Sequence, residues 1–264
     1  MGAILPDLST QALIAAIEDN LIAFFRNSTR AEIHDDPELL WWITDRPFGF
    51  DNMLFRARLT PETADGAVAA AIARAKARNV SLLWWVGPAT QPSTLGQTLA
   101  SHGFLQETVP GMAVDLQTLP PDGPVAGLAI EQVRSEETLR QWCELFVAGY
   151  GMPSESVDGW YAGYTGMDFA AHHFLRHYIG SIAGVPVATS LLCLAAGVAG
   201  IYCVATLPDY RRRGIGAAMT LAPLRAAQAE GYRVGILQAS EMGCSVYARM
   251  GFEEYCKIEM YGWT

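Results

Sequence analysis

The stretch TLPDYRRRGIGAAMTLAPL, residues 206–224, places three consecutive arginines beside two glycines. Arg211, Gly214 and Gly216 follow a strand-like run and open an apolar helical pattern. At such a turn the first helical N–H groups lack carbonyl partners, and the helix dipole adds roughly half a positive charge. Glycines let an anion approach this backbone closely, and arginines complete its neutralisation. These residues predict a site for phosphate or pyrophosphate.

Two common phosphate motifs do not fit this stretch. A Walker A loop needs Gly-Lys-Ser/Thr, which does not follow, and a dinucleotide fingerprint needs a third glycine where this chain has Met219. The net charge of -9 disfavours nucleic acid as a partner, so we expect the arginines to serve one small anion. The alternative is a tight turn with a solvated basic cap and no ligand.

Length and composition suggest two globular domains in the cytoplasm. A chain of 264 residues exceeds what one ordinary core needs. LPPDGPVAG, residues 119–127, is rich in proline and glycine and is the expected linker. Every apolar run falls short of the roughly 20 residues of a membrane span, and the amino terminus lacks the basic region of a signal peptide. We therefore expect no membrane association.

The cysteines and histidines give little support for a metal site. The five cysteines form no CxxC pair, which favours reduced thiols over a disulfide framework or a zinc cluster. His173 and His177 are four residues apart, but the segment runs into a predicted strand and no glutamate supports a zinc-protease motif. We expect no metal, and for Cys203 and Cys244 we favour packing over a nucleophilic role.

Apolar periodicity and turn residues predict an alternation of helices and strands. In the first half the elements are a helix over 10–26, strands over 38–43 and 52–59, a helix over 61–78, a strand over 81–87, a short helix over 94–102 and a strand over 111–116. In the second half they are a strand over 128–133, helices over 136–151 and 156–166, a hairpin over 177–194 with its turn at Ala183-Gly184, a strand over 200–207, a helix over 214–230, a strand over 234–239, a short helix over 245–250 and a final strand.

The two halves share a pattern. LASHGFLQETVPGMAVDL and YARMGFEEYCKIEMYGW align on Gly103-Phe104 and Gly251-Phe252, an offset of 251 minus 103, or 148 residues. Each pair follows a strand, a short helix and, further back, a longer helix. An internal duplication explains this arrangement. The first half has only Thr60-Pro61 where the second has the arginine-glycine turn, so we expect only the second half to bind the anion.

With these motifs the sequence resembles the GNAT superfamily, the GCN5-related N-acetyltransferases. Arg211, Gly214 and Gly216 match the family's pyrophosphate motif, Gln/Arg-x-x-Gly-x-Gly/Ala. Tyr247, Gly251 and Phe252 match the end of its later strand and helix. The resemblance covers 128–264 well, and over 1–118 it rests on the repeat.

The resemblance implies an α/β fold with a mixed sheet, built from two acyl-CoA N-acyltransferase domains. The implied domains are a truncated, degenerate copy at 1–118, the linker at 119–127 and a GNAT N-acetyltransferase domain at 128–264.

The resemblance also implies transfer of an acetyl group from acetyl-CoA, the co-substrate, to a primary amine by direct attack. In the family the pantetheine arm lies between two splayed strands, and a backbone N–H near Val204 would polarise the thioester carbonyl. Ser240 stands where many members carry an asparagine that contacts the pantetheine. The implied cofactor-binding residues are Val204, Ala205, Thr206, Arg211, Arg212, Arg213, Gly214, Ile215, Gly216 and Ser240.

Tyr247 is the candidate catalytic residue, since a phenol with a pKa of about 10 can protonate a departing thiolate. Its alternative role is packing of the last helix. The family often places a carboxylate on the fourth strand, but GIYCVATL has none. Glu241 is the nearest acid by position, although a surface role suits it better, and water is the other route for the amine proton.

Aromatic residues supply candidates for the acceptor pocket, with ordinary packing as the alternative. They lie in the region that closes over the acceptor in the family, and they are Tyr150, Trp160, Tyr161 and Tyr164. The acceptor is expected to be a small-molecule or peptide amine. Its identity and the oligomeric state, a homodimer included, stay open.

Two further functions compete with the enzyme. A non-catalytic acyl-CoA-binding or sensing module would keep the anion site and lose turnover. A nucleotide-phosphate binder unrelated to acyl transfer would make the Tyr-x-x-x-Gly-Phe ending coincidental.

Overall fold

The computed structural model describes residues 4–29, 31–121, 123, 125–169 and 173–264. It contains two compact units. The large unit comprises the chain up to Ser28 together with Met112–Tyr255, and the small unit comprises Thr29–Gly111 with Cys256–Thr264. The boundary falls within two strands, β5 (Leu105–Asp115) and β11 (Glu253–Trp263). Each unit is therefore assembled from two separate parts of the chain.

The small unit is a mixed sheet with two helices. Its remaining elements are β1 (His34–Asp35), β2 (Leu40–Trp42), β3 (Met53–Phe55), α2 (Pro61–Arg78), β4 (Leu82–Val86) and α3 (Leu95–Ser101). The strand order is β1-β2-β3-β4-β11, and β3 runs parallel to β4 with α2 between them in sequence. A Thr60–Thr63 capping box and Pro61 begin α2, and Asn79 in the left-handed conformation ends it.

The large unit contains the arginine-glycine turn. Its remaining elements are α1 (Thr10–Asn27), β6 (Leu128–Gln132), α4 (Glu136–Tyr150), α5 (Ser156–Tyr164), β7 (Leu175–Ile182), β8 (Val185–Ala195), β9 (Val198–Thr206), α6 (Ile215–Ala229), β10 (Val234–Gln238) and α7 (Glu241–Arg249). The strand order is β5-β10-β9-β8-β7-β6, with β9 and β10 parallel and the pairs from β6 to β9 antiparallel.

The internal repeat is visible in the geometry of each unit. The succession β3, α2, β4, α3, β5 repeats as β9, α6, β10, α7, β11, with a parallel strand pair in each copy. The residues after the short helices match closely: Gly103 has φ 85° and Gly251 has φ 92°. Phe104 and Phe252, which follow these glycines, are both buried. The fold confirms the predicted α/β class with two related halves.

Helix α1 belongs to the large unit, whereas the sequence grouped it with the first half. Its buried Asn20 donates from Nδ2 to the carbonyls of Cys193 and Ala195 and accepts from the hydroxyl of Tyr202. Phe24 stacks on Tyr202 with ring centroids 4.0 Å apart. The compact units thus differ from the expected boundaries at 1–118, 119–127 and 128–264, because α1 buries its apolar face on distant strands. Residues 122 and 124 of the expected linker lie outside the described residues.

Most element boundaries follow the sequence prediction within a few residues. Helix α2 has the predicted limits, and Ala183 and Gly184, with φ 50° and 77°, form the predicted hairpin turn. Strand β3 ends early because Arg56 adopts φ 52°, and β5 begins earlier than expected, at Leu105. No helix within the described ranges is long and apolar enough to cross a membrane.

Candidate active site

The parallel strands β9 and β10 separate partway along their length. Their pairing comprises Ala199 opposite Gly235 and Gly200 opposite Ile236, while β9 continues to Thr206. The carboxyl ends of parallel strands at such a separation form a natural binding crevice. A cleft of about 540 Å³ lies here, between the end of β9, the turn before α6 and helix α7. Its lining residues are Val204 and Thr206 from β9; Tyr210, Arg211, Arg212, Gly214, Ile215, Gly216 and Ala217 from the turn and α6; and Ser240, Met242, Gly243, Val246, Tyr247 and Arg249 from α7.

Strand β9 carries a bulge at the edge of this cleft. Thr189 of β8 pairs with Ala205 and Leu191 pairs with Tyr202, so Cys203 and Val204 together stand opposite the single residue Ser190. Cys203 has φ 52°, a conformation that non-glycine residues rarely adopt. The bulge breaks the regular ladder at the residues that face the separation of the strands.

The turn before α6 presents unpaired backbone donors to the cleft. Gly214 caps α6 in the left-handed conformation, φ 81° and ψ -1°, and its lack of a side chain leaves the first helical N–H groups without a side-chain acceptor. The first backbone hydrogen bond of α6 runs from the N–H of Ala218 to Gly214 O. The amides of Ile215, Gly216 and Ala217 precede it at the positive end of the helix dipole.

Gly216 leaves room for a ligand close to these amides. A Cβ atom built on Gly216 meets no other atom within 4 Å, so the space over this backbone is open. The residue lines the cleft. An anion can therefore reach the first turn of α6, and the donors present fit the pyrophosphate of a CoA molecule.

The three consecutive arginines have different partners. Arg211 donates from Nε to Thr206 O at 3.0 Å and from a terminal nitrogen to Gly149 O at 2.8 Å. It thus ties the end of β9 to the last turn of α4. Arg213 donates to Asp209 O and lies over the ring of Tyr210, and it borders a second cavity on the other side of α6.

The exposed cations on the cleft are Arg211, Arg212 and Arg249, and of these Arg211 donates to the carbonyls of Thr206 and Gly149. Arg212 has φ 62°, which turns the loop toward α6. Arg249 ends α7, and its sequence position does not indicate a site residue because a helix-terminal arginine usually interacts with the helix dipole. Ala205 faces away from the cleft, since a Cβ atom on Gly149 would stand 2.7 Å from its Cβ.

Tyr247 lines the cleft from α7. Burial raises the pKa of Tyr247 to about 12, while a side-chain hydrogen bond with Thr220 acts in the opposite direction. Thr220, buried on α6, donates its own proton to Gly216 O. The Tyr247 hydroxyl therefore stays protonated at neutral pH and lies near the helix whose amino terminus faces the anion site.

Two small residues hold α7 and Tyr247 in place. Ser240 caps α7 by accepting a hydrogen bond from the N–H of Gly243 at 3.3 Å, and it also lines the cleft. A Cβ atom on Gly243 would stand 2.6 Å from Cε2 of Tyr247. Position 243 thus requires glycine while the ring keeps its place. No sequence pattern indicates this requirement, because it depends on the side-chain conformation of Tyr247.

The predicted acceptor aromatics divide into exposed and buried groups. Tyr150 is exposed and packs on Phe146, which also meets Trp160 edge-on with centroids 4.8 Å apart. Tyr164 is 2% exposed and packs edge-on against Trp142 and His177. The structure therefore leaves Tyr150 exposed and places Tyr164 in the core.

Glu136 fixes the helix that carries these aromatics. Its carboxylate accepts hydrogen bonds from the Tyr161 hydroxyl at 2.9 Å, the Thr165 hydroxyl at 3.1 Å and the N–H of Gly166 at 2.7 Å. Tyr161 is thus engaged in holding α5 to the start of α4.

No carboxylate lies on the strand where the resemblance would place a general base. Strand β9 carries no carboxylate, and Glu241 is exposed in the first turn of α7.

Two titratable groups beneath α4 and α5, the His177 imidazole and the Cys203 thiol, are uncharged at neutral pH. Burial lowers the pKa of His177 to about 3, and the pKa of the Cys203 thiol is raised well above its usual range by burial. His173 bonds through Nδ1 with Leu175 O. Across the described ranges, no group of three or more His, Cys, Asp or Glu side chains is arranged to hold a metal ion.

A family comparison identifies the part of the chain that forms this site. Residues 133–255, slightly under half of the chain, match the family model described as an acetyltransferase (GNAT) domain. Residues 133–255 are a GNAT domain. The cleft, the arginine-glycine turn and Tyr247 all lie within it, and acyl transfer is the activity of the family. No curated protein matches the chain significantly.

Solved structures show the GNAT fold over the whole chain. A GCN5-related N-acetyltransferase from Kribbella flavida superposes with a TM-score of 0.70 at 20% identity, over 98% of this chain and 96% of that one. One from Sphaerobacter thermophilus gives 0.63 at 16% identity, over 85% and 76%. A tandem GNAT protein from the clavulanic acid biosynthesis pathway gives 0.57 at 15% identity, over 99% and 96%. The fold is therefore that of tandem GNAT proteins.

Proposed function

We propose that this protein is an acetyl-CoA-dependent N-acetyltransferase that moves an acetyl group to a primary amine by direct attack, with its chemistry in the large unit. One observation carries the proposal. A single cleft joins an anion site at the start of α6, the separated end of β9 and the hydroxyl-bearing residue Tyr247. These are the three parts that acyl transfer from a CoA thioester requires.

The residues of α6 and α7 are suited to hold CoA. The N–H groups at the start of α6 donate to the pyrophosphate, and Gly216 leaves the space that this approach needs. Arg212 and Arg249 contribute positive charge from both sides of the cleft. Arg211 acts indirectly by holding the end of β9.

Bound acetyl-CoA would supply an activated thioester. The N–H of Val204, at the bulge, donates to the carbonyl oxygen on which negative charge develops. Tyr247 holds a proton at its hydroxyl oxygen for the thiolate sulfur of the leaving CoA. Its raised pKa keeps this proton in place at neutral pH but makes the phenol a weaker acid. The chain offers no carboxylate on β9, so we assign the amine proton to solvent.

The acceptor is an amine of a small molecule or a peptide. The net charge of -9 steers cationic amines toward the protein. Tyr150 and Trp160 offer aromatic surface beside β9, against which the carbon skeleton of an amine can pack. We propose a cytoplasmic enzyme with no nucleic-acid or membrane partner.

The missing strand carboxylate supports one alternative, an acyl-CoA-binding module without turnover. Two experiments distinguish the functions. Calorimetry should show binding of CoA in preference to ATP, and a thiol-release assay with acetyl-CoA and a panel of amines should identify at least one acceptor. Preference for ATP would refute the proposal, and tight CoA binding without thiol release from any amine would establish the binding module.

A further inference from the structure

The peptide bond between Cys203 and Val204 is held by a side chain of the neighbouring strand, and the catalytic role of this contact rests on the proposed function. The Thr189 hydroxyl on β8 donates to Cys203 O at 2.9 Å. Thr189 is fully buried, so its hydroxyl has no exposure to solvent. The Cys203 carbonyl therefore points toward β8.

The direction of this carbonyl fixes the direction of the next N–H group. In a planar trans peptide the C=O and the following N–H point to opposite sides. The N–H of Val204 thus points away from β8, toward the side on which β10 runs. The pairs between β9 and β10 end at Gly200 and Ile236, so at Val204 this side is the cleft and not a neighbouring strand.

At the bulge the regular β8–β9 ladder does not fix the orientation of the Cys203–Val204 peptide, so a side chain must fix it. Cys203 at φ 52° is outside the extended region, and the ladder is irregular between Thr189 and Leu191. A second clamp holds the opposite strand, because Nε1 of buried Trp142 donates to Ser190 O at 3.0 Å. The hydroxyl of Thr189 is the group that holds the bulged peptide itself.

We infer that Thr189 is a positioning residue: its hydroxyl orients the Cys203–Val204 peptide so that the Val204 N–H faces the thioester carbonyl. Valine at this position keeps the shape of the side chain and removes the donor. The Cys203 carbonyl would then be buried without that partner, and the peptide would be free to rotate. Serine keeps the donor and removes a methyl group.

The sequence permits a direct test in the full-length protein. Cysteine is followed by valine only at Cys203-Val204. Labelling with carbonyl-¹³C cysteine and ¹⁵N valine therefore gives a single peak in a two-dimensional HNCO-type NMR spectrum. We expect this peak to move in ligand-free Thr189→Val and to stay close to its original position in Thr189→Ser.

Titration with CoA and with acetyl-CoA completes the test. In the original protein and in Thr189→Ser, acetyl-CoA should shift the amide proton further than CoA does, and in Thr189→Val most of this difference should vanish. A Thr189→Val peak that is unmoved without ligand, or that keeps the full acetyl-CoA response, would overturn the positioning role. The peak could instead move in Thr189→Val while neither CoA nor acetyl-CoA shifts it in the original protein. That result would refute the proposed function, and with it the role of this hydrogen bond in catalysis.

If Thr189→Val does not fold, Thr189→Ser and the original protein still decide the question. Loss of the acetyl-CoA-specific shift in the serine variant would show that packing, not the hydroxyl, orients the peptide. Its retention would support the hydroxyl.

Discussion

Gly243 lies against the ring of Tyr247, and a Cβ atom on Gly243 would stand 2.6 Å from Cε2 of that ring. Such a contact is far shorter than carbon atoms tolerate. The ring, at the end of a side chain, moves more easily than the backbone of α7. Gly243 therefore sets the position of the Tyr247 hydroxyl.

We expect Gly243→Ala to lower the acetyl-transfer rate by about 10²-fold, the scale for a misplacement of roughly 1 Å. Alanine is the better helix former by about 1 kcal/mol, so the variant should fold. Single-turnover rates with the amine found by the thiol-release screen measure the effect. The control is Gly66→Ala in α2, where an added Cβ meets nothing within 4 Å. An unchanged rate in Gly243→Ala would mean that the ring position does not matter.

Tyr247→Phe tests the proton donor itself. It keeps the ring and CoA affinity, and we expect the single-turnover rate at saturating acetyl-CoA to fall by about 10² to 10⁴, the range for a lost general acid. Because the pKa of Tyr247 is about 12, the loss should be the same from pH 6 to pH 9. Tyr255→Phe removes a hydroxyl from β11 as a control. A loss below about threefold would assign Tyr247 a structural role.

Gly216→Val tests the anion site. The Cβ atom of the valine would stand in open space over the first turn of α6, with no atom of another residue within 4 Å. Since one hydrogen bond to a charged group contributes about 1.5–3 kcal/mol, CoA affinity should fall at least about tenfold. Calorimetry measures the change, and Gly66→Val controls for valine in a helix. Undiminished CoA binding by a folded Gly216→Val protein would place the pyrophosphate elsewhere.

Asn20→Leu tests the attachment of α1. Asn20 is fully buried, and its loss leaves the carbonyls of Cys193 and Ala195 and the hydroxyl of Tyr202 without this partner. An unsatisfied buried group costs about 1–3 kcal/mol, so we expect a decrease of roughly 3 kcal/mol or more in the free energy of unfolding in urea. Asn27→Leu, on the exposed end of α1, should change it by less than about 0.5 kcal/mol. Equal effects of the two substitutions would contradict the assignment.

His177 predicts how stability depends on pH. Its pKa is about 3 in the folded protein and about 6.5 when unfolded, so between these values the unfolded chain binds more protons. The free energy of unfolding should therefore fall as pH decreases from 6.5, by up to about 1.4 kcal/mol per pH unit. Urea unfolding of His177→Gln should show a shallower dependence on pH than that of the original protein. Parallel pH profiles for His177→Gln and the original protein would refute this contribution.

The sequence was sufficient for features set by neighbouring residues. Thr60-Pro61 fixes the start of α2, and Gly214 and Gly216 mark the turn before α6, because each acts through its own backbone conformation. The paired Gly-Phe motifs revealed the repeat for the same reason.

Features that depend on distant partners were not predictable. Asn20 bonds to a carbonyl 173 residues away, and nothing near Asn20 indicates that strand. Arg211 matches a phosphate motif, yet its donors reach Gly149 O, 62 residues back. The bulge at Cys203 is held by hydrogen bonds from Thr189 to Cys203 O and from Trp142 to Ser190 O. Each outcome reflects packing and hydrogen bonding that sequence spacing does not encode.

The placement of α1 in the large unit has a consequence for biosynthesis. Asn20 leaves the ribosome 173 residues before Cys193, and at about 5–20 residues per second this interval lasts roughly 9–35 s. During that time the apolar face of α1 has no strands to cover it, while the residues of the small unit are being made. The nascent chain must therefore keep this helix from aggregating until β8 and β9 emerge.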